Sequence, residues 1–204
     1  MAVSNTSLCN QALAMIGAKR LNDLDADTSV EAIQCRTHFE PTRDSLLRSH
    51  WWGFASARAS LAQDTVSPDF EWSNQFHLPG DFLRLRAVYD DNLPDKITRY
   101  SYAIEGQLLL TNESSVDLRY VRKVTDPTEF DSLFVEVLVL SLAIKLVMPL
   151  TQSRLLRREL KEELNPLLAQ VRTIDFQETN TIGSGDRQTW IDSRQSIDNT
   201  KLGN

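Results

Sequence analysis

A chain of 204 residues can bury one substantial core, or one core and a small second lobe. At 41% hydrophobic and 25% charged residues it has the composition of a soluble globular protein, which excludes the disordered and collagen-like classes. The formal charge of −6 speaks against a surface given over to gripping DNA phosphates, yet does not exclude a protein that DNA merely passes.

MAVSNTSLCNQ has no basic n-region and no apolar h-region, so the expectation is no signal peptide and folding in a reducing cytoplasm. Cys9 and Cys35 show neither C-x-x-C nor zinc-type spacing and read as buried free thiols. Ser4 to Ser7 offer caps for a first helix, in which Cys9, Ala12, Leu13 and Ile16 form one apolar stripe; Gly17 is a natural stop. Thr28-Ser29-Val30-Glu31 reads as a capping box with Thr28 and Glu31 as its partners. The second helix should bury Ala32, Ile33, Phe39, Leu46, Leu47 and the stem of Arg36, with a kink or break at Pro41.

After Trp51-Trp52 the period becomes two. Phe54–Leu61, SNQFHLP, Phe82–Tyr89, Ile97–Ile104, Gln107–Thr111 and Ser115–Val124 read as about six strands, with Glu105-Gly106 as a hairpin turn. Short connections predict a small antiparallel sheet or barrel.

Helix returns at Asp126–Leu150, with Asp126 as N-cap, Pro127 at the first position, and Glu129 and Asp131 in the first turn. Between Leu133 and Met148 only Glu136, Ser141 and Lys145 are polar, so this helix should be buried on nearly all sides. Glu136, Lys145 and Pro149 argue against a membrane span. The expectation is the central helix of a bundle, with room for a neighbouring subunit to cover part of it. A last helix, capped by Thr151 or Ser153, carries an apolar stripe of Leu155, Leu156, Leu160, Leu164, Leu167, Leu168 and Val171, and Pro166 should bend it. Its wet face holds Arg157, Arg158, Lys161, Glu162 and Glu163, with a weak Arg158–Glu162 pair.

The fold class is therefore α+β, in four parts. Residues 1–52 give the N-terminal helices, 53–124 an inserted antiparallel β domain, 125–176 the C-terminal helices and 177–204 an extended arm. The arm is polar except near Trp190 and Ile191; it reads either as a frayed terminus or, with Trp190 set near Arg187 and Arg194, as an anchor for a partner's pocket.

Catalytic signatures are thin. His38, His50 and His77 are scattered, and no G-x-S-x-G, H-E-x-x-H or phosphate-cradling loop occurs. Asp23-Leu24-Asp25-Ala26-Asp27 resembles the start of a calcium loop, but Thr28 and Gln34 stand where Gly and Glu are needed. No cofactor or metal is expected. A carboxylate pair for glycan hydrolysis could lie among the 28 acidic residues. Two basic clusters, Arg154-Arg157-Arg158-Lys161 and Arg119-Arg122-Lys123, are either solvated faces or contacts for an acidic partner ring or passing DNA.

The segments RTHFEPTRDSLLRSHWWGFASARASLA, FHLPGDFLRLRAV and DPTEFDSLFVEVLVLSLAIKLVMPLTQS, with Trp190-Ile191-Asp192-Ser193-Arg194, resemble the tail tubular protein A family. These are head-to-tail adaptors of short-tailed bacteriophages. The pattern RD-x-LLR-x-H-x-W-x-FA-x-x-RA-x-LA is matched by Arg43–Ala62, with Trp51-Trp52 in place of the usual Pro-Trp. The resemblance implies a non-enzymatic ring, commonly of twelve subunits, between the portal ring and the tail nozzle. DNA would leave through its lumen without sequence-specific binding. It also implies assembly in the host cytoplasm, a place at the head–tail junction of the virion, and no membrane contact. Trp190, Ile191, Arg194, Arg154 and Arg158 are the expected partner-binding residues, the arm reaching the portal.

Overall fold

A computed structural model describes residues 3–89 and 101–179. Within them lie helices α1 (Asn5–Met15), α2 (Val30–Ser49), α3 (Ser132–Thr151) and α4 (Arg154–Thr179). The strands are β1 (Ser56–Leu61), β2 (Asn74–His77), β3 (Phe82–Tyr89), β4 (Tyr102–Glu105), β5 (Leu108–Thr111) and β6 (Val116–Arg122). The fold is α+β: helices, strands, helices in chain order.

Helix α1 starts on a capping box between Ser4 and Ser7 and ends at Gly17, whose φ of 68° only glycine takes without strain. For α2 the cap is Ser29, which accepts the Ala32 N–H; Thr28 is one residue too early, and the expected Thr28–Glu31 box does not form. The buried face of α2 is Ala32, Cys35, Phe39, Thr42, Arg43 and Leu47, while Ile33 is exposed. Arg36 gives more than its stem, since its guanidinium donates to the carbonyls of Leu24 and Asp27 and ties the preceding link to α2. Pro41 neither breaks nor divides α2. It lies on the exposed side, where water can serve the carbonyl it leaves free.

Pro127–Glu129, capped by Asp126, is a separate 3₁₀ turn, and α3 begins about five residues later than expected with Asp131 as its own N-cap. Asp131 accepts from the N–H groups of Leu133 and Phe134, so it cannot also lie in the first turn. By length and composition α3 is apolar enough to cross a membrane, but ten of its residues are buried and Glu136 and Lys145 are exposed. The other three helices cover it: α1, α2 and α4 all pack on α3 and share one core. Within one copy 56% of this apolar stretch is buried, so a single copy does not enclose it on all sides. Gln152, left-handed at φ 55°, and Ser153 turn the chain into α4, which runs unbroken through Pro166. Leu160 and Val171 seal its inner face, whereas Leu155 lies outside it. Residues 177–179 continue this helix and do not open the arm.

The β region forms two three-stranded antiparallel sheets, β1-β6-β3 and β2-β5-β4. Phe54 and Ala55 belong to a 3₁₀ turn and pack into the helical core, so β1 starts only at Ser56. Gly106 at φ 61° and Gln107 close the β4–β5 hairpin, with Glu105 already paired to Leu108. Residues 97–100 of the expected fourth strand lie outside the described residues. Phe76, Val88, Leu109, Leu118 and Tyr120 join the two sheets in a second core. On β6, Val116, Leu118 and Tyr120 face that core while Val121 enters the helical one. The first sheet thus stands between the helices and the second sheet.

Candidate interaction surfaces

The two expected basic clusters part company. Arg122 pairs with Glu129, Lys123 lies 3.0 Å from Asp44, and Arg119 Nε donates to Ser56 Oγ at 3.3 Å. These cations hold the joint between β6 and its surroundings. On the same joint Arg84 and Arg86 lie over the Trp51 ring, at 4.1 Å and 5.6 Å from its centroid.

Arg154, Arg157, Arg158 and Lys161 are all exposed. Their spacing puts them on one face of α4, where they line an open depression of about 460 Å³ with Met148. Among the described residues, Arg158 alone of the four is paired with an acid, Glu162 at 3.7 Å, with both side chains well exposed and therefore weakly coupled. Ser153 caps the helix by accepting the Leu156 N–H at 3.2 Å. No acidic residue occupies the first turn. Cations at this end oppose the helix dipole, at a cost of about 0.3–1 kcal/mol each. The stripe is thus poorly placed for helix stability and well placed to meet negative charge.

A second surface lies on the far side of the β region. The loop before β2 folds across the outer face of the β2-β5-β4 sheet and leaves a cleft of about 310 Å³. Val66, Phe70, Trp72, Leu108 and Leu110 line it, with the carboxylates of Asp69, Glu71 and Glu105. Phe70 is 80% exposed and Val66 61%. Among the described residues no lysine or arginine lines it. Asp64 anchors the loop: it accepts the Val66 N–H at 3.2 Å and the Gln75 amide at 3.1 Å, and His77 Nε2 lies 3.0 Å away. Those bonds, the Val66 N–H first, hold its carboxyl below the usual range. Glu71 sits in the left-handed region at φ 68°, a bend that presents Phe70 at the loop's crest. From sequence alone the segment DTVSPD is simply turn-rich. The signal available was Val66, Phe70 and Trp72, three large apolar side chains in a stretch too polar to bury them.

The two surfaces lie at opposite poles. Trp52, just after α2, stacks edge-on to Phe134 at the start of α3, with ring centroids 4.9 Å apart. The β region therefore joins the helices at the N-terminal end of α3, and its second sheet faces away from them. Helix α4 begins where α3 ends, about 30 Å further along at 1.5 Å per residue.

Arg154 and Arg158 are thus brought onto one surface; Trp190, Ile191 and Arg194 lie outside the described residues. His38, His50 and His77 do not meet: His50 is edge-on to Trp52 at 5.1 Å, and His77 is on β2 beside Asp64. In the acidic link, Asp23 accepts from the N–H groups of Asp25 and Ala26, so its carboxylate organises its own turn. Among the described residues no group of three His, Cys, Asp or Glu is placed to hold a metal. Cys9 and Cys35 are both buried and free. The hydrogen bond to Cys35, then burial, pushes the Cys9 thiol far up. No family model matches this chain, and no curated protein matches it significantly.

Proposed function

We infer that this chain is the structural subunit of a ring-shaped adaptor in a short-tailed bacteriophage, set between portal ring and tail nozzle and acting without catalysis. The observation that carries the reading is the pair of unlike surfaces at opposite poles: a cationic helix start at one, an acidic aromatic cleft at the other. Two unlike, complementary surfaces on one copy are what a closed ring built from heterologous contacts needs. The quoted segments that resemble tail tubular protein A follow one another in order between Arg36 and Arg194, and the resemblance names portal and nozzle as the partners. The net charge of −6 suits a lumen from which DNA must leave. In this reading the arm with Trp190, Ile191 and Arg194 reaches the portal, and the ring has twelve copies.

Native mass spectrometry of the protein mixed with the portal ring of the same virus tests this. The expected result is addition at a fixed whole-number stoichiometry, weakened when residues 180–204 are deleted. No association with a well-formed portal would overturn it.

A specific feature favours one other reading. Asp69, Glu71 and Glu105 share a cleft, as the two acids of a glycan hydrolase do. All three are exposed, however, and a general acid needs enclosure to keep its proton near neutral pH. Turnover of cell-wall glycan that Glu105→Gln abolishes would revive it.

A further inference from the structure

The cleft and the cationic stripe complement each other, yet one copy cannot bring its own two together. They are separated by at least the length of α3, and the β1-β6-β3 sheet stands between. Each surface pairs exposed apolar atoms with charge of a single dominant sign. At the cleft these are Phe70 and Val66 with Asp69, Glu71 and Glu105. At the helix it is the half-buried Met148 with Arg154, Arg157, Arg158 and Lys161. The size of the cleft suits a few inserted side chains, and the first turns of α4 present long, flexible cationic ones over an apolar base.

We propose that the acidic cleft of one copy receives the cationic start of α4 from a second copy. This rests on the ring reading and names its contact. The interface is heterologous: every copy offers a stripe and a cleft, so association continues until rotation closes the ring. It also gives a use to cations that oppose their own helix dipole, because an acidic cleft placed over that helix end restores the favourable sign. The attraction is charge-driven at its rim and so weakens as salt shortens the Debye length.

Two charge-reversed forms of the full chain test it: Arg157→Glu/Lys161→Glu at the stripe, and Asp69→Lys/Glu105→Lys at the cleft. Sedimentation and native mass spectrometry at low salt should show the parent chain associating and each variant alone at least ~10-fold weaker. Mixing the two variants should restore association with strictly alternating, equal numbers of each. A stripe made acidic then meets a cleft made basic, while the untouched surfaces still match. Restoration on mixing also shows that both variants are folded.

A parent chain that stays monomeric up to about millimolar concentration overturns the proposal. So does an assembly that either variant leaves unchanged, or a mixture that stays apart while both variants keep the parent's circular dichroism. If assembly is indifferent to both variants but the portal is bound, only this contact fails. If self-association is charge-sensitive but the portal is ignored, the adaptor reading fails instead. Binding of duplex DNA by the stripe, lost in Arg157→Glu/Lys161→Glu while self-association is kept, would give the stripe to a nucleic acid and also overturn the contact.

Discussion

Arg43 is the most instructive single residue. Its side chain is 2% exposed, its Nε donates to Asp44 Oδ1 at 2.8 Å, and its buried Nη2 has no hydrogen-bond partner among the described residues. Asp44 also takes Lys123, so one carboxylate balances a buried and a half-exposed cation where α2 meets the end of β6. Asp44→Ala strands the buried charge and should cost about 3–5 kcal/mol in urea unfolding. Arg43→Met should cost clearly less, because Asp44 keeps Lys123. The opposite order would mean that the carboxylate does not hold this joint. Tyr120 gives a pH signature. Burial, then the 3.0 Å hydrogen bond it donates to Asp81, pushes its phenol up to about 12. An unfolded tyrosine titrates near 10, so the folded state holds the proton longer. Its stabilising effect is complete below about pH 10, fades from there, and is gone above about pH 12, some 2–3 kcal/mol in all. Thermal melts across that range should fall more steeply for the parent chain than for Tyr120→Phe; parallel curves would count against this. Neither site was legible beforehand. Arg43-Asp44 stands in the quoted motif, but neighbours in a helix do not normally face each other, and spacing cannot reveal that both turn toward β6.

At the level of elements, apolar periodicity was a good guide where one face was buried and a poor one elsewhere. The stripe Cys9–Ala12–Leu13–Ile16 stands where periodicity put it, because one face of α1 meets a core. Strand β3 keeps its place but not its alternation: two register shifts break it, and Leu83 packs toward the helices while Leu85 and Val88 pack toward the second sheet. Boundaries moved where caps compete: Ser29 over Thr28, Asp131 over Asp126. Ile33 and Leu155 look like core by composition but sit a turn-angle away from it, at helix starts that the other elements do not reach. Helix α3 shows the reverse. Its near-uniform apolarity predicts cover on nearly all sides, and α1, α2 and α4 supply a large part of that cover. Leu142, fully buried there, should cost about 2–5 kcal/mol on truncation in Leu142→Ala, measured by denaturant midpoint at constant slope. A loss below about 1 kcal/mol would mean that α3 is not the common support of α1, α2 and α4.

For the whole molecule, the order of helices, strands and helices was legible because the hydrophobic period switches twice. The two-sheet arrangement was not, since strand pairing depends on contacts far apart in sequence. The candidate surfaces were half legible: the α4 cations could be seen, whereas the cleft needed a loop and a sheet brought together. The interruption of the helical lobe by the β region also bears on how the chain is made. Helices α1 and α2 emerge from the ribosome with their apolar faces bare, and the partner they need, α3, ends about 100 residues after α2. At roughly 5–20 residues per second that is a wait of about 5–20 seconds. During it the nascent N-terminal hairpin is a substrate for holding chaperones, while the β region can already condense around its own core.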